Sequence, residues 1–277
     1  NIVFSGSKGG LTDLYLYDVA SEVSTQLTFD RFADFQPAYS PDGRTVAFAS
    51  DRAVKTDFDA LQYGKFQLSL LDLETREVET LEVFGLRDDM KVVELLPGGG
   101  WYTKLLAPVL AENGEFYVAL GTGRVSENLL GQEGFDKVRV LAEDANIFRP
   151  EGSRTYALEM TGLGVTDVDI VFTFRNYHNF GPEGRAALNK AVHDALKPGG
   201  IYAVVDHSRR HMEPDNMENR RRMDPVLAIH EIQAAGFELV DFSDLHYRAD
   251  DELRYEVGRK TVTGNTDRWT LKFRKTD

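Results

Sequence analysis

The stretch that most constrains what this chain can fold into is Lys91–Thr103, KVVELLPGGGWYT. An apolar run from Val92 to Leu96, broken only by Glu94, ends in Pro97 and three consecutive glycines, Gly98, Gly99 and Gly100. Period and punctuation predict a buried strand over Lys91–Leu96, a tight glycine turn, and a helix from Trp101 to about Glu112 in which Pro108 is a misfit. Glycine belongs at such a turn because it tolerates positive φ and lets a ligand approach bare backbone. The helix behind the turn would offer unpaired N–H groups to an electron-rich ligand, and Glu94 would add a carboxylate to the same crevice. Turns of this kind also occur as plain structure, so the neighbouring segments have to decide between a ligand cradle and a simple connection.

From Phe84 onward those segments alternate strand and helix, the pattern of an α/β domain with a mainly parallel sheet. Further strands are expected at Glu115–Leu120, Val138–Ala142, Asp169–Phe174 and Ile201–Asp206, with Phe237–Phe242 and Trp269–Phe273 as a closing pair. A helix over Pro182–Leu196 has Glu183 in its first turn and Lys197-Pro198-Gly199-Gly200 beyond its end. Another is opened by Asp224-Pro225 and stopped by Gly236. In open sheets of this type, ligands bind beyond the carboxyl ends of the strands. There the chain places Glu143-Asp144-Ala145 after the third strand and Arg175-Asn176-Tyr177-His178-Asn179 after the fourth. The second cluster has more polar capacity than a turn needs.

His178 is the candidate general base, because an imidazole titrates near neutral pH, and His207, next to Asp206, is a second. A structural hydrogen bond holding the loop is an equally good use of His178. Asp206, His207 and His178 also read as a conceivable metal set, but no local ligand spacing supports it and no metal is expected. The loop His207–Arg222 is expected to be charged and mobile. Its Arg209, Arg210, Arg220, Arg221 and Arg222 would otherwise suit an anionic substrate group.

Residues 1–83 are a different kind of sequence, in which short strand-like runs alternate with turns such as Ser7-Lys8-Gly9-Gly10 and Ser40-Pro41-Asp42-Gly43. They contain an internal repeat. IVFSGS from Ile2 matches VAFASD from Val46, and LYLYDVASEVSTQLT from Leu14 matches LSLLDLETREVETLE from Leu68, with an insertion around Val54 to Gly64. The segment QPAYSPDGRTVAFASDR, Gln36–Arg52, resembles the blade motif of TolB-type β-propellers. That implies an all-β segment of about two blades, too few to close a ring. The expected division is therefore a partial propeller-like segment over 1–83 and the α/β domain over 84–277. The segment would cover its neighbour or mediate a homodimer; a protein- or glycan-binding platform is the other reading.

A net charge of −13 and a pI near 5.0 argue against a nucleic-acid or anionic-membrane partner. No apolar run approaches the ~18 residues that span a bilayer, so no membrane insertion is expected. The absence of cysteine excludes disulfides, thiolate metal sites and a cysteine nucleophile. Asn1-Ile2-Val3-Phe4 already reads as a strand, so the chain is expected to continue a longer gene product.

VVELLPGGG, EDA, DIVFTFRNYHNF and ALKPGGIYAVVDH occur in that order, and Phe84–Thr276 resembles the class I S-adenosylmethionine-dependent methyltransferases. The likeness is strongest to a bacterial group of predicted methyltransferases with a PGGGWYT turn, an FRN-x-HN segment and a VVDH strand. It implies a Rossmann-like fold, S-adenosylmethionine as cofactor, and methyl transfer to a small-molecule or protein substrate. By that resemblance Glu94, Gly98 and Gly100, with Gly99 between them, would cradle the methionine end, and Asp144 would accept a bond from the adenine amino group. Arg175, Asn176 and His178 would line the crevice, Arg175 toward the cofactor and the other two beside the transferable methyl. Two departures stand out. Leu96 takes the place of the usual first glycine, and Leu120 that of the acid for the ribose hydroxyls, leaving Thr122 or Ser126 to serve. Two rival readings keep the fold: a nicotinamide or other nucleotide binder, and a non-enzymatic interaction protein with a degenerate turn. Cofactor supply favours the cytoplasm, whereas TolB-like propellers are often exported, so the compartment stays open.

Overall fold

A computed structural model describes residues 1–8, 11–30, 32–39, 43–51, 67–73, 78–80, 84–244 and 246–276. It forms two compact units, residues 1–89 with 104–114, and residues 90–103 with 115–277.

The first unit holds two antiparallel sheets. β1 (Ile2–Lys8), β2 (Leu11–Asp18) and β3 (Val23–Gln26) make one; β4 (Asp34–Tyr39), β5 (Thr45–Ser50), β6 (Gln67–Asp72) and β7 (Val78–Thr80) make the other. The sequence repeat is carried into the register of the strands. Ile2 pairs with Tyr17 as its counterpart Val46 pairs with Leu71, and Tyr15 pairs with Gln26 as Ser69 pairs with Thr80. Burial does not follow the register: Val46 and Phe48 are buried while their counterparts Ile2 and Phe4 are exposed, and Leu14, Leu27, Val46, Phe48 and Leu71 form one small core. Buried Asp13 accepts from Gln26 Nε2 at 2.9 Å and buried Asp51 from the Ala33 N–H at 2.8 Å. The Ser40–Asp42 part of the expected turn and the Val54–Gly64 insertion lie outside the described residues. Among the described residues the strands make two sheets and no closed ring. This unit also takes in most of α1 (Thr103–Leu110), shorter than the Trp101–Glu112 expected. Pro108 has no N–H for the Lys104 carbonyl, so the helix runs through it to Leu110 with one internal hydrogen bond missing.

The second unit is a single seven-stranded sheet with helices. Its elements are β8 (Lys91–Leu95), β9 (Glu115–Ala119), α2 (Gly123–Asn128), β10 (Arg139–Leu141), β11 (Asn146–Phe148), β12 (Ala157–Glu159), β13 (Val168–Phe174), α3 (Pro182–Ala195), β14 (Leu196–His207), α4 (Pro225–Ala234), β15 (Phe237–Ser243) and β16 (Arg268–Lys275). The strand order is β10-β9-β8-β13-β14-β16-β15, with β11 and β12 apart as a small antiparallel pair. The first five sheet strands are parallel, and β16 runs antiparallel to both its neighbours. The winding outward from β8 reverses between β8 and β13, which makes that gap the topological switch point.

Local chemistry explains most boundaries. Asp224 caps α4 by accepting the Val226 N–H, and Pro225 opens the helix with its preset φ. The Lys197-Pro198-Gly199-Gly200 segment, expected as a helix stop, belongs to β14 itself. It does end α3, but Leu196 already pairs with Val168, and the register then shifts before Ile170 meets Ile201. Gly200 fits only as glycine: a Cβ there would lie 2.9 Å from the Lys197 carbonyl oxygen and 3.0 Å from that of Val168. Val93, Leu95, Val171, Tyr202, Val204, Leu271 and Phe273 pack with Leu188, Val192, Ala228 and Ile232 in the main core. By the two-residue alternation of strands, Val92, Glu94, Phe172 and Phe174 face the other side. Among the described residues no helix is long and apolar enough to cross a membrane.

Candidate functional site

Four adjacent parallel strands end in the same way. The residue after each of β8, β9, β10 and β13, namely Leu96, Leu120, Ala142 and Arg175, has φ of 54°, 65°, 52° and 60°. None is glycine, so each carries left-handed backbone strain of about 1–2 kcal/mol. Strain of this kind gathers at functional edges. Backbone bonds hold it: the Leu96 N–H donates to the Ala119 carbonyl at 2.8 Å and the Arg175 N–H to that of Val205 at 2.7 Å. The switch point is then bridged by Asn176, whose Nδ2 donates to the Leu96 carbonyl (3.1 Å) and the Phe174 carbonyl (2.9 Å), while its Oδ1 accepts from Asn179 (3.2 Å). Asn176 is therefore at the crevice, with its amide already committed to joining the ends of β8 and β13.

Beside that bridge stands the glycine turn. Gly98 has φ 58°, Gly99 is exposed with no left-handed φ, and a Cβ added at either would meet nothing within 4 Å. Gly100 differs: φ is 80°, and a Cβ would lie 2.6 Å from Leu129 Cδ2 and 2.9 Å from Val125 Cγ2. Thus Gly98 and Gly99 offer bare backbone to open space, whereas Gly100 is required for packing against α2 and the residue after it. Glu94 lies on β8 with Phe172 and Val118 opposite it in register, and it is 1% exposed. Those apolar neighbours desolvate the carboxyl and push its pKa up to about 8, against the partial relief of the Thr103 hydroxyl, which donates to Oε2 at 2.6 Å. Aromatic rings line the same edge. Tyr102 stacks on Phe174 with centroids 3.7 Å apart, Phe174 stacks on Phe172, and Trp101 meets Tyr102 edge-on.

Asp144 is exposed just beyond β10, its Oδ2 accepting from Thr161 at 3.3 Å. Thr122 is the N-cap residue of α2 but makes no side-chain cap bond, and Ser126 is exposed within that helix. Arg175 is half-buried at the end of β13.

The most connected part of the edge joins β13 to β14. Asp206, fully buried, accepts the His178 N–H at 2.7 Å on Oδ2, and on Oδ1 accepts the His207 N–H at 2.7 Å and meets His178 Nδ1 at 2.5 Å. The His207 ring stands 5.8 Å from that of His178 and uses Nδ1 on Thr266 Oγ1 at 2.9 Å. Burial, together with His178 and the guanidinium groups of Arg268, Arg175 and Arg222, holds His207 well below the usual imidazole range. His207 is therefore neutral, with Nδ1 committed to Thr266, and His178 is the imidazole anchored on Asp206. Among the described residues no cluster of three or more His, Cys, Asp or Glu is arranged to hold a metal ion.

The arginine-rich loop is tied down, contrary to the mobile loop its charge pattern suggests. Arg222, its side chain fully buried, donates to both Asp251 oxygens at 2.8 and 3.0 Å, to the Ser208 carbonyl at 2.9 Å and to the Tyr255 carbonyl at 2.6 Å. Arg209 pairs with Asp215, Arg210 donates to the Glu252 carbonyl, and Arg221 pairs with Glu256. Four of the five arginines are thus engaged within the wall that residues 208–222 and 246–267 build. Sequence reasoning missed this, and it missed the Asp206–His178 contact and the Thr103 bond to Glu94.

No family model matches the chain, and no curated protein matches it. Solved structures do. A SAM-dependent methyltransferase from Aquifex aeolicus is similar at a TM-score of 0.47 and 15% identity over 70% of this chain and 86% of that one. The [4+2]-cyclase SpnF is similar at 0.47 and 14% identity over 70% and 77%. A TehB-like SAM-dependent methyltransferase from Corynebacterium glutamicum is similar at 0.47 and 13% identity over 71% and 85%. Likeness at this level spans proteins named for different reactions and selects none of them.

Proposed function

We propose that this chain binds S-adenosylmethionine at the β8–β13 switch point and transfers its methyl group to an acceptor beside His178. The observation that carries the reading is the open backbone of Gly98 and Gly99 next to a buried carboxyl, at the strand edge where open α/β sheets bind ligands. Of the motifs that resemble class I methyltransferases, PGGG, EDA, FRNYHNF and VVDH come at this edge, whereas LKPGG lies at the opposite end of β14.

The residues present fit that cofactor. Gly98 and Gly99 let an amino-acid moiety lie against backbone, and Glu94 would face its ammonium group, which draws the carboxyl toward its ionised form. Asp144 would accept from the adenine amino group, Arg175 would stand toward the cofactor, and the free hydroxyl of Thr122 would serve the ribose in place of an acid at Leu120. The bound sulfonium supplies an electrophilic methyl carbon, so the chain's own task is to orient an acceptor and exclude water. Asn176 fixes the width of the crevice through its two carbonyl contacts, and His178 holds an imidazole where the acceptor would stand.

Calorimetric titration with S-adenosylmethionine and with NADH tests this. Binding of the first and not the second is expected, with at least a tenfold loss in Gly99→Val, a position where an added Cβ meets no protein atom within 4 Å. NADH binding alone would make the chain a nicotinamide protein, and unchanged affinity in the variant would remove the turn from the site.

A further inference from the structure

We propose that Asp206 positions His178 with Nδ1 protonated and Nε2 bare, so that Nε2 takes the proton of a hydroxyl acceptor. This rests on the methyl-transfer reading and names its substrate class: alcohols or phenols, not tertiary amines or thioethers, which have no proton to lose.

The geometry at Asp206 is specific. Both carboxylate oxygens already accept backbone N–H groups, from His178 on one side and His207 on the other. That arrangement suits an acceptor-only carboxylate, which obliges the ring nitrogen 2.5 Å from Oδ1 to be the one bearing hydrogen. Nε2 of His178 then carries the lone pair. Among the described residues it has no hydrogen-bond partner, and it is not sealed from solvent, although the side chain is only 4% exposed. One nitrogen is anchored to a fully buried acid, which leaves the other for an incoming group. His207 is the poorer base: its Nδ1 is turned to Thr266, and burial beside His178 and the guanidinium groups of Arg268, Arg175 and Arg222 disfavours a proton on its ring.

In the reaction, the hydroxyl proton passes to Nε2 as the oxygen's electron pair forms the bond to the methyl carbon, while the electron pair of the donor's C–S bond stays on sulfur. The imidazolium so formed is stabilised by Asp206 and later gives its proton to water, as in acid-oriented histidine bases. Asp206 touches neither substrate nor cofactor and is a positioning residue.

The test begins without cofactor. In the ¹⁵N-labelled full chain at pH 8, long-range imidazole ¹H–¹⁵N correlations, assigned with His178→Gln, should show His178 with Nδ1 protonated and Nε2 bare. Asp206→Asn should abolish that preference and slow modification of His178 by diethyl pyrocarbonate by about tenfold or more. A wild-type ring protonated at Nε2 overturns the proposal, whether or not the Asn variant folds. The second arm offers S-adenosylmethionine with phenols and with tertiary amines: selective methylation of phenols, lost in His178→Gln, supports the substrate class, and equal turnover of amines overturns it. A bare Nε2 in a chain that binds no S-adenosylmethionine would refute methyl transfer and leave the dyad standing.

Discussion

Replacing Glu94 by glutamine should make the second unit more stable at alkaline pH and leave it nearly unchanged in acid. The carboxyl sits between Val118 and Phe172 with one hydroxyl donor, and burial raises its pKa from 4.5 to about 8. Below pH 4.5 the group is protonated whether the chain is folded or unfolded. Between pH 4.5 and about 8 the unfolded chain has released the proton that the folded chain retains, so stability falls as pH rises. Above about 8 both states are ionised and the dependence ends. At about 1.4 kcal/mol per pH unit, the loss across this window is at most about 5 kcal/mol, less where the site relaxes or admits water. Glutamine keeps the shape and can still accept from Thr103, but it has no proton to lose. Urea unfolding at pH 5 to 9, followed by tryptophan fluorescence, reads this unit directly, because both Trp101 and Trp269 lie in it. Other titrations cancel in the difference between variant and wild type. That difference should climb steadily and level off above about pH 8. A flat difference would show that Glu94 is not a desolvated acid, and the argument for its role opposite an ammonium group would go with it.

Two further outcomes follow from the packing. Gly100→Ala should destabilise the unit by about 1–3 kcal/mol in the same unfolding assay, because its Cβ would collide with Leu129 and Val125 at a left-handed φ; a neutral result would refute the tight contact. Arg222→Met should cost about 3–5 kcal/mol by stranding buried Asp251, whereas Arg221→Met, which breaks a half-exposed pair with Glu256, should cost no more than about 1 kcal/mol. Equal effects would mean that the wall is not held by its buried pair.

What the sequence disclosed was local. Asp224-Pro225 announces α4, the glycine run announces the turn after β8, and the repeated hydrophobic pattern announces hairpins whose register then proves to be shared. The rest depends on distant partners. Asp206 and His178 are 28 residues apart, and Arg222 and Asp251 are 29 apart, so no spacing rule connects them. Charge alone made residues 207–222 read as a solvated loop, since nothing in the composition says that an acid from the β15–β16 connection will be buried against Arg222. The short α2 and the β11–β12 pair fall below the length at which a period can be recognised.

The four left-handed residues at the strand ends had no sequence signal either, because Leu96, Leu120, Ala142 and Arg175 are not the glycine or asparagine that such a conformation favours. Their strain is nonetheless the feature that gives the edge its shape. Each one follows the last residue of its strand, and Leu96 and Arg175 still donate to the neighbouring strand as the chain turns. The Leu120 side chain is buried and so does not project into solvent at this edge. β14 ends differently. It has no left-handed residue among Asp206, His207 and Ser208, and the carboxylate of Asp206 instead ties the backbone of His178, in the turn after β13, to that of His207 on β14. The strained ends thus open the edge and the buried acid furnishes it.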